Sequence, residues 1–520
     1  MGEGLLRQGA ALLAGGMVLG VLAAPGARAQ DAARIEAIER QIRALQTELN
    51  RMRRDMQTRE AETRAAKQEA AQARSEAQAA QRRLDLTPPP VTAAQVAPEE
   101  RTRLTFPGYR PTLTSADGRF SFSIGTQTQF DVGGYLRGPP PTPNTRGVPN
   151  LDTFGSNLRR ARLFFSARYE DFVFNITPDF GNSPDGAPTL YEANFNWLPV
   201  RPLTLTLGYF KPWVTLQDSM SSNDFFLLER PSIVEIARNI AAGDARASVG
   251  AKWATDRYFL SAYLTGTSFG SNLAAQGVPD QTGAVGRVAG RPFTNPDIDV
   301  HTGFSALEAF DIKRTSAANN AIVQQITLSD RPELRIDQSR LITTGALNAG
   351  DAYAWGPEFG LRWRNFLLQG EYIQIGVNQL ASTNPRRFLM FDGGYVEVSW
   401  VITGEPRRYS AAAAAFARPI PAHPFSLEPG GGWGAWELVA RYSVADMNSK
   451  VQRGVPQAVT GGVFGGRQEI IGVGLSWYPN NLLRFVLQAD SVQVDRRNPA
   501  GTTQIGQRFW DVALRTQIAF

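Results

Sequence analysis

The C-terminal segment Trp510-Asp-Val-Ala-Leu-Arg-Thr-Gln-Ile-Ala-Phe520 alternates between apolar and polar side chains. One face carries Trp510, Val512, Leu514, Ile518 and Phe520, and the other carries Asp511, Arg515 and Gln517. Because successive side chains of a β-strand point to opposite faces, the segment predicts a strand with one oily and one charged face. Such a strand, ending on an aromatic residue, is typical of the last strand of an outer-membrane barrel. Lipid offers the backbone no hydrogen-bond partners, so a spanning sheet has to close on itself.

The same period of two recurs from about Leu104 onward, in segments separated by Gly, Pro, Asn and Asp clusters. Connections between segments alternate between tight ones (170–171, 364–365, 479–481) and long ones (138–157, 217–245, 269–300, 404–432, 446–467, 495–507). Short turns at one end and long loops at the other are the bacterial outer-membrane arrangement. We therefore predict an all-β, antiparallel transmembrane barrel of about 16 strands over residues 104–520. Strands within residues 269–345 cannot be placed from the pattern.

The composition excludes several chemistries. The chain has no cysteine and only two histidines, His301 and His423, so we predict no disulfide and no Cys/His metal site. No Gly-x-Ser-x-Gly motif and no phosphate-binding glycine fingerprint follows a strand. We expect no catalysis, no cofactor and no metal. An outer-membrane hydrolase whose catalytic groups converge from distant strands is the alternative.

The N-terminus indicates export. Arg7 precedes an apolar run from Ala10 to Ala24, and Ala27-Arg28-Ala29 forms a cleavage pattern. Residues 1–29 are therefore predicted to be a signal peptide, with a membrane anchor helix as the alternative. The net charge of +6 would suit nucleic acid, but an exported chain argues against that partner.

Residues 30–86 show heptad spacing, with apolar residues at the two core positions. Ile35, Ile42 and Leu49 occupy one position, and Ile38 and Leu45 the other. Isoleucine at both positions favours a trimeric coiled coil, and a single charged helix or a partly disordered stalk is the alternative. A proline run ends the helix and opens a linker over residues 87–103. Since this segment precedes the first strand, we place it in the periplasm, where it suggests a second function: tethering the outer membrane to the cell wall.

Arginines mark the wet face of the predicted barrel. Arg160, Arg162 and Arg168 share the strand face opposite Leu163 and Phe165. An arginine facing lipid at mid-bilayer costs roughly 2–4 kcal/mol, so this face must line a water-filled lumen. The alternation in their own strands also places Arg362, Arg364, Arg484 and Arg515 on the lumen-facing side. A lumen lined by guanidinium groups favours anions. Alternatively, these arginines pair with lumen acids, for which the candidates are Asp179, Glu192, Glu371, Asp490 and Asp511.

Five motifs, in this order, resemble the phosphate-selective porins O and P across roughly residues 104–520. They are Asn157-Leu-Arg-Arg-Ala-Arg-Leu163; Leu207-Gly-Tyr-Phe-Lys211-Pro212 with Ser221-Ser222 and Leu228-Glu229-Arg230; Gly394-Tyr395 through Thr403-Gly404-Glu405-Pro406-Arg407; Gly434-Ala-Trp436-Glu437-Leu438 with Arg441-Tyr442; and Trp477-Tyr478-Pro-Asn480.

This resemblance implies a trimer of about 16-stranded barrels, each narrowed by an inward-folded third loop, with an arginine ladder that feeds anions to the constriction. On that basis Arg159 and Arg160 look like rungs of the ladder, and Gln217–Arg230 looks like the constriction loop. The loop candidates are Ser221, Ser222, Asn223 and Glu229, and Lys211 and Arg230 join the anion pathway.

One residue departs from the family pattern. Phosphate-reading members place a lysine where this chain has Asn223, and lysine is rare throughout the chain. The sequence therefore predicts an outer-membrane porin with an anion preference and an unassigned solute. Its expected partners are further copies of itself, outer-membrane lipid and small anions.

Overall fold

The computed structural model describes Gln46 and residues 102–520, apart from residues 138–150, 152, 182–186, 244, 269–279, 317–321 and 381–387. The predicted signal peptide (1–29), the coiled coil (30–86, except Gln46) and the linker (87–103, except its last two residues) lie outside the described residues. Those predictions therefore stay predictions. Residues 98–520 form one compact unit.

The alternating segments fold into sixteen barrel strands, β1 to β16. Their bounds are Phe120–Arg137, Phe154–Tyr169, Phe172–Asp179, Thr189–Trp197, Leu203–Phe210, Arg246–Ala254, Tyr258–Ser268, Thr282–Thr294, Ile298–Asp311, Ile342–Trp363, Phe366–Gln379, Phe388–Val401, Ala435–Ser449, Val463–Tyr478, Leu483–Asp495 and Arg508–Ala519.

The last strand closes the sheet on the first. β16 pairs antiparallel with β1, and Arg515 stands opposite Asp131 while Leu514 stands opposite Val132. Closure leaves this sheet without a free edge between β1 and β16, which is the condition that lipid imposes on a spanning sheet. The predicted antiparallel barrel of about 16 strands is confirmed.

The two faces of each strand follow the sequence pattern. On β16, Trp510, Leu514 and Ile518 are exposed on the outside, whereas Asp511 and Arg515 are buried on the inside. The exposed side chains of the whole barrel include many large aromatic and aliphatic residues. An apolar exterior around a polar interior is the arrangement of a barrel in lipid.

Connections differ in length between the two ends of the barrel. Short turns join strands at one end, here called the short-turn end, and comprise residues 170–171, 198–202, 255–257, 295–297, 364–365 and 479–482. Most long connections lie at the opposite end. Two predictions were wrong here. Residues 269–300 are not one loop, because strand β8 (Thr282–Thr294) and a short turn lie within them. The connection over residues 404–432 is long, as predicted, but it joins β12 to β13 at the short-turn end and not at the end with the other long loops.

Several short strands and helices lie outside the sixteen barrel strands. Strand Thr112–Thr114 pairs with the start of β1 and with Arg103–Thr105, and a hairpin of Arg314–Ser316 and Ile322–Asp330 extends the connection before β10. A second hairpin pairs Arg408–Ser410 with Ala415–Ala417. The helices are α1 (Leu216–Ser219), α2 (Ser232–Ala241) and α3 (Gln457–Thr460), with a 3-10 turn at Pro107–Tyr109. Within the described residues, no helix has the length and apolar character needed to cross a membrane.

Candidate functional site

The connection between β5 and β6, residues 211–245, folds into the lumen, and we call it the constriction loop. Its apolar residues Leu216, Phe225, Phe226 and Leu227 are fully buried, although long connections usually lie on the surface. They pack with Val439 and other inward-facing wall residues. Helix α2 of the same loop contacts strands β8 to β13. The loop thus fills one side of the barrel.

Lumen-facing arginines hold the backbone of the constriction loop. Arg484 donates to the carbonyl oxygens of Phe225 (2.7 Å) and Phe226 (3.0 Å). Arg441 donates to the carbonyl oxygen of Glu229 (2.9 Å). A buried carbonyl oxygen without a hydrogen-bond donor costs free energy. Because these guanidinium groups supply donors, the loop backbone can be buried inside the barrel.

Lumen-facing acceptors serve the loop in the same way. The Glu371 carboxylate accepts hydrogen bonds from the backbone N–H groups of Leu216 (2.6 Å) and Gln217 (2.9 Å). The side-chain oxygen of Gln488 accepts from the N–H of Leu228 (2.7 Å). Wall and loop therefore form one hydrogen-bonded unit.

A β-bulge brings two consecutive arginines to the same face. The pairing of β1 with β2 shifts register at Gln129 and Phe130, which stand opposite Arg160 and Leu158, so Arg159 is the extra residue. In a regular strand Arg159 and Arg160 would point to opposite faces. The bulge re-aims one of them, so that both reach the lumen.

The carboxylate of Glu229 is the meeting point of four guanidinium groups. Arg159 binds it through two hydrogen bonds (2.7 and 2.9 Å), and Arg515 donates to it at 2.9 Å. Arg160 and Arg335 each lie 3.6 Å away. Burial alone would raise the pKa of Glu229, but the arginines outweigh it and hold that pKa well below 4.5. Glu229 is therefore ionised at neutral pH.

Asp218 forms a second cluster in the constriction loop. Arg238 contacts its carboxylate at 2.7 Å, Arg230 at 3.3 Å and Lys211 at 3.7 Å. Burial opposes ionisation, but Arg238, Lys211 and Arg230 together lower the pKa of Asp218 below 3.8. The loop thus carries its own counter-ions.

The unfilled side of the lumen lies along β2 to β5. Many inward-facing residues there stay partly exposed, whereas those of β8 to β16 are nearly all buried. The partly exposed set includes Arg162, Ser166, Asn175, Glu192, Asn196 and Thr204. Arg162 contacts Asp179 at 2.7 Å, and its guanidinium carbon lies 3.5 Å from the centre of the Tyr191 ring. We call this side the passage.

The basic residues predicted to line the anion pathway divide into two groups by exposure. The side chains of Arg159, Arg162 and Lys211 keep 17, 11 and 13 % of their surface exposed and line the passage. Arg515 keeps 2 % of its side-chain surface exposed, and Arg160 and Arg484 are also buried against the constriction loop, whereas Arg230 is a loop residue and is buried within the loop. The second group anchors the loop.

Three predicted pathway residues lie at the short-turn end. Arg168 donates to the carbonyl oxygen of Glu170 (2.8 Å), and Arg362 contacts Asp299 (2.8 Å). Arg364 does not lie on a lumen-facing strand face, which corrects the predicted phase. β10 ends at Trp363 and the chain reverses at Arg364, whose exposed side chain lies 3.5 Å from Asp297.

The polar end of the constriction loop contacts β1. Gln127 donates to the Ser222 hydroxyl (2.6 Å) and to the Asn223 side chain (2.8 Å), and Gln129 donates to the Ser222 carbonyl oxygen (3.1 Å). Ser221 is exposed and accepts from the backbone N–H of Asn223 (3.3 Å). Asn223 thus occupies a neutral, hydrogen-bonded position beside the passage.

A second insertion enters from the short-turn end, and the sequence did not indicate it. Arg287 on β8 donates to the carbonyl oxygens of Ala413 and Ala414 (both 2.7 Å), and Tyr409 Oη lies 2.9 Å from Nδ1 of His301. Residues 408–417 are therefore held inside the barrel wall. The segment is rich in alanine and shows no strand alternation, so no pattern in the sequence indicates that the barrel encloses it.

Other functional residues were also missed. Arg335 lies in the region where no strands could be placed, so no periodic signal was available for it. Arg441 was detectable, because it shares the lumen-facing side of β13 with Glu437 and Ser443 and lies between the outward-facing Ala440 and Tyr442. Asp218 is distinguished only by the cations that the fold brings around it.

Comparisons with known proteins show which family and which solved structures this chain is similar to. The family model for phosphate-selective porin O and P matches residues 122–520. Porin O of Pseudomonas aeruginosa is 23% identical over 402 residues, which cover 72% of this chain and 83% of that protein. An uncharacterized protein of Caulobacter vibrioides is 27% identical over 411 residues, covering 77% of this chain and 73% of that one. In-vitro folded OmpT of Vibrio cholerae matches with a TM-score of 0.45 and 10% identity over 77% of this chain and 98% of OmpT.

The family match runs from the first barrel strand to the last residue. Because it covers far more than half of the chain, this protein belongs to the phosphate-selective porin O and P family and is an outer-membrane porin.

Proposed function

We propose that the barrel is a water-filled diffusion channel that prefers small anions. The observation that carries this proposal is the cationic lining of the passage by Arg159, Arg162 and Lys211. Guanidinium and ammonium groups on a wet wall attract anions and repel cations. Transport through such a channel is passive diffusion, in which the side chains bind and release a solute without changing it chemically.

Neutralisation limits how strong this preference is. Arg162 is matched by Asp179, and Lys211 by Asp218. Arg159 and Arg160, however, share the single carboxylate of Glu229. Part of the excess positive charge therefore resides at the bulge of β2, which is where we place the filter.

Reversal potentials of purified protein in planar bilayers test the channel and its preference. In a KCl gradient we expect the wild type to pass chloride more readily than potassium. The double variant Arg159→Glu and Arg162→Glu should move the reversal potential toward potassium. A wild type that prefers potassium would refute the proposal.

The solute is a small oxyanion in this proposal, with phosphate as one candidate. The guanidinium group of arginine can donate two parallel hydrogen bonds to phosphate or carboxylate oxygens. This chain has Asn223 at the position where a lysine would add a positive charge. Chloride currents measured with competing phosphate or sulfate would rank the candidates.

We further propose a trimer, with residues 1–29 removed on export and residues 30–86 forming a periplasmic coiled coil. The heptads of that segment support self-association. Deleting residues 30–86 should leave single-channel conductance unchanged while weakening the oligomer on native gels. Loss of envelope attachment with a normal pore would favour the tether function instead.

A further inference from the structure

The Glu229 cluster has the geometry of an occupied oxyanion site. Its carboxylate oxygens receive a two-fold hydrogen bond from Arg159 and another from Arg515, with Arg160 and Arg335 close by. These cations come from separate elements: β2, β16 and the connection before β10. Carboxylate, phosphate and sulfate present similar oxygens to guanidinium groups, so the same cradle would accept a solute oxyanion.

We call the four guanidinium groups around Glu229 the cradle. The number of carboxylates near these groups shows why Glu229 controls whether the cradle can bind another anion. Arg515 also pairs with Asp131, and Arg335 also pairs with Asp330. Within the described part of the chain, Arg159 and Arg160 have no carboxylate partner other than Glu229. Removing the Glu229 charge would therefore leave those guanidinium groups available to a mobile anion.

The cradle borders the passage, and the loop backbone is held independently of the carboxylate. Arg159 stays partly exposed beside the open side of the lumen. Arg515 also donates to the Leu228 carbonyl oxygen and Arg441 to that of Glu229, so both backbone contacts survive a change in the side chain. The exposed part of Arg159 is therefore where a solute in the passage meets the cradle, and the loop backbone stays held when the carboxylate moves.

We propose that Glu229 acts as a tethered anion that occupies an oxyanion site formed by Arg159, Arg160, Arg335 and Arg515, and so sets how tightly this site binds solute oxyanions. This inference rests on the proposed anion channel. A passing phosphate or sulfate competes with Glu229 for the arginines. The wild-type site then binds weakly and releases quickly, as conduction requires.

The test is block of chloride current by inorganic phosphate and by sulfate, in planar bilayers, for wild type and Glu229→Gln. We expect half-block at a concentration at least about tenfold lower in Glu229→Gln, since the competing like charge is gone. The matched control is Glu358→Gln, which removes another buried lumen carboxylate that binds an arginine, Arg287, through both oxygens. Glu358 lies on β10, away from the cradle, and the control should leave phosphate block unchanged.

Equal block in wild type and Glu229→Gln would overturn the inference, and so would an equal increase in Glu358→Gln. Either result leaves the anion channel standing, whereas a cation-preferring wild type removes the channel proposal itself. If Glu229→Gln does not fold, Glu229→Asp serves instead. It keeps the charge but shortens its reach, so phosphate should block at a lower concentration than in wild type, and unchanged block would count against the inference.

Discussion

Arg159 and Arg160 are consecutive residues, yet both side chains approach the same carboxylate, that of Glu229. The bulge in β2 makes this possible, because it inserts one residue into the alternation of faces. The filter that we propose thus depends on a local irregularity of the backbone as much as on side-chain chemistry.

Arg162 should tune ion selectivity from the passage wall. Arg162→Gln leaves the Asp179 carboxylate without its partner, so we expect the chloride-to-potassium permeability ratio to fall about fivefold. The estimate corresponds to about 1 kcal/mol for a unit charge at contact distance in water. Reversal potentials measure it. Asp179→Asn is the matched control and should move the ratio in the opposite direction; a shift in the same direction would contradict the assignment.

Arg484 should matter for stability more than for selectivity. Arg484→Gln removes the donors to the Phe225 and Phe226 carbonyl oxygens inside the barrel. Leaving buried carbonyls unsatisfied costs about 1–3 kcal/mol, so the folded form should unfold at a lower temperature on heat-modifiability gels. Arg364→Gln, at the exposed turn, should change this temperature little. Equal effects of the two variants would show that Arg484 is not an anchor.

Asp490 and Asp511 form an unfavourable pair whose replacement should stabilise the barrel. They stand directly opposite each other on β15 and β16, both buried, and three of their four carboxyl oxygens have no hydrogen-bond donor among the described residues. Two carboxylates in this position repel each other when both are ionised, which high pH favours. Asp511→Asn should raise the unfolding free energy by about 1 kcal/mol at pH 8, measured by denaturant titration. Asp131→Asn, which strips Arg515 of a partner, should lower it.

The constriction loop should stay docked in mild acid. The folded-state pKa values of Glu229 and Asp218 lie below their ordinary values of 4.5 and 3.8. A depressed pKa contributes stability that is fully present above the ordinary value and is lost as pH falls through the folded value. Hydrogen exchange of residues 218–230, corrected for intrinsic rates, should therefore stay constant from about pH 8 to 5 and rise only at lower pH. Loosening with a midpoint near pH 6 would contradict this assignment.

The barrel itself was predictable from the sequence. Alternation such as that of Trp510 to Ile518 reports directly which side of a strand meets lipid, because the cost of placing a charge in hydrocarbon acts on each residue separately. Antiparallel pairing and closure follow from the same requirement applied to the backbone. Residues 269–345 are the exception: β8 carries many glycine and alanine residues, which weaken the contrast between faces.

The roles of the inward-facing arginines were decided by the tertiary structure. Arg162 and Arg484 occupy equivalent phases on their strands, yet one lines the passage and the other anchors the constriction loop. The difference depends on where residues 211–245 and 408–417 pack inside the barrel, and neither segment has a period that indicates its neighbours. Alternation in sequence determines inside and outside, because each side chain meets lipid or lumen alone. What a residue touches inside depends on long-range contacts, because these form only once the closed wall has brought distant segments together.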